Sequence, residues 1–391
     1  MSSEKRQKIV RYLSNLNFEN IKIENDTFTY LPISSDEIFN EKFKLIFFFY
    51  KDKNELFEQH KDLWNENRLN FFIAVNDQKS YIIDVKQKPN TNQPLKNKIG
   101  KGFDYGINTE GFEKEKIQPL LKESIDNSYF WDYVIERRKT VNEVDDDLLN
   151  NLVALHKNLT EGNNNYEDIN LLILQCLFVK YLEDRDIFEK ESILIKALQH
   201  NDDKELKKVF ERIKSINGDI FSNVEFTITF EQLEELSIFF KHDYRQHKYH
   251  DELYYESPYK FDKIPIELIS NVYEEFLGKT NKIIKKSQGV FYTRSFVVDF
   301  ILSHSVYKQV KNNKELTILD PACGSGIFLV QSYKAILKQN PNISIDDKVT
   351  ILQKQIFGID IDKRALQIAA FSLYLALLAS CTKNKIKERI V

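Results

Sequence analysis

The spacing of apolar and polar residues divides this 391-residue chain into three stretches. Up to about residue 140 the pattern is short and strand-like. Residues 43–50 form a near-continuous apolar run, and residues 69–75 and 80–85 flank Asn76-Asp77-Gln78-Lys79, which reads as a hairpin turn. From Asp145 the period lengthens: Leu148, Leu149, Leu152, Val153 and Leu155 recur at helical spacing, and 171–182, 203–215, 231–241 and 264–279 predict further helices. The last stretch alternates again. A short apolar strand at Ile318-Leu319 meets Asp320, a small-residue turn follows, and an amphipathic helix starts at once. Residues 355–362 read as a second buried strand ending in an acid, and a helix over 363–379 starts behind Asp362 as its cap.

The turn Asp320-Pro321-Ala322-Cys323-Gly324-Ser325-Gly326 carries the most chemistry. Glycine is needed where a ligand comes close to the backbone, and the helix behind the turn offers unpaired N–H groups. The third glycine of a dinucleotide fingerprint is missing near Phe328, and no Gly-Lys-Ser/Thr follows, so neither that motif nor a P-loop fits. A carboxylate at the end of a second parallel strand, as at Asp360, can accept two hydrogen bonds from ribose hydroxyls. The two strand–helix units read as the first half of a doubly wound nucleoside-binding fold.

Three motifs in this order, Gly289-Val290-Phe291-Tyr292-Thr293-Arg294, the 320–326 turn, and Gly358-Ile359-Asp360-Ile361-Asp362, resemble the N-terminal portion of gamma-class DNA adenine-N6 methyltransferases. Within that class they look most like the methylase region of type IIG restriction-modification enzymes and type I modification subunits. The resemblance covers roughly residues 255–391 and implies S-adenosylmethionine as cofactor. It implies Phe291, Thr293, Asp320, Ala322, Gly324, Gly326, Asp360 and Ile361 as cofactor-binding residues. Thr293 would hold the methionine carboxylate, Asp320 and the Gly324 and Gly326 backbone would line the methionine moiety, Asp360 would take the ribose hydroxyls, and Ile361 would lie against the adenine. Asp362 reads as a helix cap, and Phe291, Tyr292 and Phe328 read equally as packing residues. The class carries an Asn/Asp-Pro-Pro-Tyr/Phe motif that grips the target amine and stacks on a flipped base. No such tetrapeptide occurs here, and Ser257-Pro258-Tyr259 is the nearest approach. The expectation is therefore a cofactor half-site without catalytic residues, in the N-terminal part of a larger enzyme, a natural truncation, or one piece of a split one.

Composition narrows the remainder. An apolar content of 42% supports packed cores, and three scattered cysteines, Cys176, Cys323 and Cys381, make neither a disulfide framework nor a metal site. The first residues are polar, and the longest apolar stretch, 366–380, is too short to span a bilayer, so the expected location is cytoplasmic with no membrane partner. The net charge of −3 does not advertise nucleic-acid binding, but lysine is unevenly spread. Lys86, Lys88, Lys96, Lys98 and Lys101 fall between Val85 and Phe103 with no acid among them, and Pro and Gly make that stretch read as a loop. Lys279, Lys282, Lys285 and Lys286 form a second run, and Lys383, Lys385, Lys387 and Arg389 a third. Each is either a phosphate contact or a solvated surface. Tyrosine and histidine crowd 239–259, where the spacing of His242, His247 and His250 matches no familiar metal site.

In the first stretch, Asp84-Val85-Lys86 has the acid-x-Lys spacing of a PD-(D/E)xK nuclease, which would use Mg²⁺. Asn70 stands where a partner acid belongs. Asp84 and Lys86 are thus candidate nuclease residues beside the plainer reading of a structural or recognition domain.

The chain is read as multidomain, α+β and α/β: an N-terminal mixed α/β domain (1–140), a helical connector (141–280) and an incomplete Rossmann-like methyltransferase domain (281–391). The function expected is a site-specific adenine-N6 methyltransferase of a restriction-modification or phage-defence system. Its expected partners are double-stranded DNA and either a C-terminal catalytic part or a partner subunit. The alternatives are a non-catalytic DNA- or subunit-binding fragment and a nuclease–methylase fusion.

Overall fold

The computed structural model describes residues 2–32, 44–139, 141–161, 166–186, 192–214, 227–250, 256–280, 293, 295–311, 313, 315–340 and 342–381. The chain forms two compact units, one from Met1–Val144 with Pro258–Lys263, the other from Asp145–Ser257 with Ile264–Val391.

The first unit is built on a six-stranded sheet whose order follows the sequence: β1 Ile23–Glu24, β2 Thr27–Tyr30, β3 Leu45–Phe49, β4 Phe71–Val75, β5 Ser80–Asp84 and β6 Lys98–Phe103. Only β3 and β4 run parallel. Their crossover is the helix Lys53–Glu66, which Asp52 caps by accepting the Asn54 and Glu55 N–H groups at 2.8 and 3.0 Å. The continuous apolar sequence of β3 and β4 has a direct cause, because both faces of these strands are covered. Leu45, Phe47, Phe49, Phe71, Ile73 and Val75 face a core that also holds Ile9, Tyr12 and Leu13 of the helix Ser3–Asn15 and Phe130 and Val134 of the helix Tyr129–Arg137. Ile46, Phe72 and Ala74 face Leu56 and Leu63 of the crossover helix. The expected 76–79 hairpin joins β4 to β5: Asn76 Oδ1 accepts the Gln78 and Lys79 N–H groups, and Val75 pairs with Ser80.

One expectation changes here. Residues 98–103 are a strand, not loop, because glycines at 100 and 102 adopt left-handed φ values of 70° and 88° and form a bulge without ending the pairing. Asp84 belongs to an interior strand, since β5 lies between β4 and β6. The returning segment 258–263 is held by Asn65, whose side chain donates to the Pro258 carbonyl and accepts the Lys260 N–H, both at 2.9 Å. Lys260 Nζ pairs with Glu58 at 2.6 Å and Asp62 at 2.5 Å.

The second unit is mostly helical. The expected helices are present as Tyr166–Asp184, Lys204–Lys214, Phe230–Lys241 and Ile266–Thr280, and Val144–Leu159 carries the apolar period seen from Leu148 onward. Their ties continue into the C-terminal segment: Phe178 packs 5.1 Å from Phe371, Tyr273 donates to the Asn170 carbonyl at 2.7 Å, and Ser270 hydrogen-bonds Ser372. There β7 Ile318–Asp320, the helix Ile327–Gln339, the helix Ile345–Gln355, β8 Ile356–Gly358 and the helix Lys363–Ala379 form a parallel βαβ unit with a following helix. The chain is therefore an α+β unit followed by a helical and α/β unit. No helix among the described residues is long and apolar enough to cross a membrane.

His60, on the crossover helix, tests the first core. Its imidazole is buried 5.9 Å from the Phe72 ring, neither ring nitrogen has a hydrogen-bond partner, and burial pushes its pKa down to about 4. The unfolded chain binds a proton near the ordinary value of 6.5 and the folded chain does not. Stability of the first unit should thus be full above pH 6.5 and fall as pH drops toward 4, by about 3 kcal/mol. Urea unfolding of His60→Phe beside the parent chain checks this, because the variant should show a shallower loss over that window.

Candidate functional site

The site is assembled at the C-terminal ends of β7 and β8. Register places Ile318 opposite Ile356, Leu319 opposite Phe357 and Asp320 opposite Gly358. The ladder extends past the strands, with the Ile359 N–H donating to the Asp320 carbonyl at 2.9 Å and the Cys323 N–H to the Ile359 carbonyl at 3.0 Å. The glycine turn is thereby fastened to the loop that follows β8.

Asp360 makes the second fastening. One carboxylate oxygen accepts the Gly324 N–H at 2.9 Å, and the other accepts the Asp362 N–H at 2.8 Å. Asp320 closes its own turn by accepting the Ala322 N–H at 3.1 Å. Both acids are half-buried at neighbouring strand ends, where ligands of open α/β sheets sit.

Gly324 and Gly326 have φ values of 51° and 85°, the left-handed region that disfavours a Cβ. At Gly326 a Cβ would stand 2.9 Å from that of Ala369, so its smallness lets the turn lie against the helix Lys363–Ala379. Gly358 was not singled out in the sequence for packing, yet a Cβ there would meet Leu329 at 2.6 Å and Cys323 Sγ at 2.9 Å. Cys323 is buried beneath the second strand and serves as a small packing residue.

Among the described residues nothing covers the opposite face of the two strands. Leu319 is 57% exposed, Phe357 44% and Ile359 56%, while Ile361 projects at 91%. Parallel strands are usually covered on both faces. Sequence pattern alone suggested buried strands and did not show that one face lacks cover among the described residues.

Thr293 is half-buried two residues before the helix Ser295–His304, whose Val298 and Leu302 pack on Ile327 at the start of the helix behind the turn. Phe291 and Tyr292 lie outside the described residues, as do Lys282, Lys285, Lys286 and the basic residues after 382. His242 and His247 stack with ring centroids 5.0 Å apart. The His250 side chain is outside the description.

The nuclease candidates are engaged elsewhere. Asp84 is 1% exposed. Its oxygens accept Arg138 Nε and Nη2 at 2.9 and 2.8 Å, and the Lys86 N–H at 3.0 Å. Lys86 Nζ donates to the Asn67 carbonyl and pairs with Glu143, both at 3.1 Å, and also bonds the Asn67 side chain. A buried carboxylate already holding a guanidinium in a fork is not open to a cation. No group of three or more His, Cys, Asp or Glu among the described residues could hold a metal ion, so the Mg²⁺ expectation gains no support.

Residues 265–387 match the family model described as N-6 DNA Methylase. This segment is an N-6 DNA methylase region. Over 345 residues the chain is 24% identical to the type II restriction enzyme and methyltransferase RM.Eco57I of Escherichia coli, a match covering 75% of this chain and 31% of that protein. It is 34% identical over 104 residues to the type II methyltransferase M.VspI of Vibrio sp. (strain 343), covering 26% of this chain and 20% of the relative. It is 40% identical over 65 residues to the adenine-specific methyltransferase BrxX of Escherichia coli O9:H4 (strain HS), covering 16% and 5%. The chain thus spans about a third or less of the length of these relatives. Among solved structures, the type IIL restriction-modification enzyme MmeI in complex with DNA aligns with a TM-score of 0.42 and 19% identity, over 62% of this chain and 37% of that one.

Within the methylase region, Gly326 offers a direct test of the turn. Gly326→Ala adds a left-handed alanine, which costs about 1–2 kcal/mol, and a contact with Ala369. Chemical denaturation should show the second unit destabilised by roughly 2 kcal/mol or more. An unchanged midpoint would mean that the turn does not hold this conformation.

Proposed function

We propose that this chain is the cofactor-binding part of a site-specific DNA adenine-N6 methyltransferase of a restriction-modification or phage-defence system. The observation that carries the reading is the Asp360 carboxylate bridging the glycine turn and its own loop beside Asp320. The methylase match and the restriction-modification relatives support it.

The donor set fits S-adenosylmethionine. Two carboxylates stand at adjacent parallel strand ends, backbone N–H groups line a turn kept free of side chains, and Ile361 presents an uncovered apolar surface suited to an adenine ring. When bound, the cofactor supplies an electrophilic methyl group. Asp360 keeps acceptor capacity on both oxygens and would take the ribose hydroxyls. Asp320, Ala322 and the Gly324 and Gly326 backbone would line the methionine end, with Thr293, and Phe291 from outside the described residues, closing it. What these groups contribute to rate is orientation: a donor held in one pose removes much of the entropic cost of meeting its acceptor. In this reading the target adenine is gripped by an Asn/Asp-Pro-Pro-Tyr/Phe motif supplied from outside these 391 residues, in which none occurs. We retain the division into an N-terminal domain, a helical connector and a cofactor half as functional parts, and a cytoplasmic location, within the same proposal.

Calorimetric titration with S-adenosylmethionine tests the reading. The parent chain should bind saturably, and Asp360→Ala should weaken binding at least tenfold, equivalent to about 1.4 kcal/mol. Equal binding by both chains would remove Asp360 from the site. No binding by the parent would favour a DNA- or subunit-binding role instead.

A further inference from the structure

Among the described residues β6 is the last strand of the first sheet and pairs only with β5. Its register is broken: Ile83 pairs with Lys98 and Ile82 with Ile99, but the next pair is Ser80 with Phe103. Tyr81 on one strand therefore faces three residues, Gly100, Lys101 and Gly102, on the other. The packing requires both glycines. A Cβ at Gly100 would stand 2.9 Å from the Tyr133 hydroxyl, and one at Gly102 would stand 2.6 Å from Tyr81 ring carbons. Lys101, within the bulge, is exposed, and two other cations of this region lie over aromatic rings. Lys98 Nζ lies 6.0 Å from the centroid of the Tyr81 ring, and the Arg137 guanidinium lies 4.1 Å from that of Tyr133. Lys96, just before the strand, is exposed as well. No ion pair joins Lys96, Lys98 or Lys101 to an acid among the described residues; nearby, Glu136 pairs with Arg137 at 3.2 Å and Asp104, directly after the strand, pairs with Lys79 at 2.8 Å.

We propose that this bulged edge, with Lys96, Lys98, Lys101 and Arg137, is a contact surface for the phosphate backbone of duplex DNA. Lysines on an edge strand also discourage strand-to-strand pairing, but that role does not need two tyrosines shaping a glycine bulge around the apical charge. A bulge also twists the edge away from a partner strand, which leaves point charges toward a polyanion as its main recognition chemistry. The inference deepens the methyltransferase reading: it places backbone contacts, which orient without reading sequence, outside the methylase region.

The test is fluorescence anisotropy of a labelled short DNA duplex titrated with the whole chain across about 50 to 200 mM salt. The combined variant Lys96→Gln, Lys98→Gln, Lys101→Gln should lower the slope of log affinity against log salt by about 2.7. Over that salt range the parent should then lose about 40-fold more affinity than the variant. Removing three exposed lysines elsewhere on the unit, Lys51→Gln, Lys53→Gln, Lys114→Gln, should leave the slope unchanged. Equal slopes for the parent and the first variant, an equal drop in both variants, or no salt-dependent duplex binding by the parent would each overturn the proposal. If the triple variant unfolds early, Lys101→Gln alone should lower the slope by about 0.9, and no change would count against it. Cofactor calorimetry on the same variants separates the two readings: lost cofactor binding with intact duplex binding removes only the methyltransferase proposal, and the converse removes only this one.

Discussion

Two backbone N–H groups converge on the carboxylate of Asp360, from Gly324 in one strand–helix turn and from Asp362 in the next. Hydrogen bonds to an ionised acceptor are among the stronger polar contacts in proteins. Without this one, the glycine turn would be tied to the segment after the second strand by the two backbone bonds linking 320, 323 and 359. The bridge brings the acid of the second strand to the turn of the first and fixes the left-handed glycines. It leaves their side-chain-free surface beside Asp320. Gly326 against Ala369 and Gly358 against Cys323 and Leu329 fix the same geometry from behind, since each contact tolerates only hydrogen where a Cβ would sit.

The two sheets of the protein handle their faces differently. In the first unit β3 and β4 are covered on both sides, by helices on one face and the crossover helix on the other, and their sequences are correspondingly unbroken in apolar residues. In the second unit the parallel pair β7 and β8 is covered on the side that carries Ile356, while among the described residues nothing covers Leu319, Phe357 and Ile359 on the other. The proposed cofactor half-site lies on the rim of this asymmetric sheet, with Ile361 at its end.

Much of this was legible in the sequence because the signals were local. The hairpin at Asn76–Lys79 announced itself through turn residues between two apolar runs, and the 320–326 and 358–362 segments through strand, acid, glycine and helix in order. The contacts that the sequence hid are long-range or oppose local preference. Asp84 and Arg138 are 54 positions apart, and only their meeting in the fold turns an acid-x-Lys spacing into a structural ion pair. The 85–103 stretch read as loop because of its prolines and glycines, which disfavour strands; over 98–103 pairing with β5 outweighed that preference, and the glycines became a bulge. The bridge from Asp360 to Gly324 was also hidden: the sequence assigned the acid to a ligand, and what the fold shows is an acid that organises the turn.

The most direct measurement of the central claim is hydrogen–deuterium exchange, read by mass spectrometry, with and without saturating S-adenosylmethionine. If Asp360 and the glycine turn form the cofactor site, exchange should slow in the peptides spanning 320–326 and 358–362 while the sheet of the first unit stays unchanged. Unaltered exchange in both peptides under saturating cofactor, or protection confined to the first unit, would contradict it.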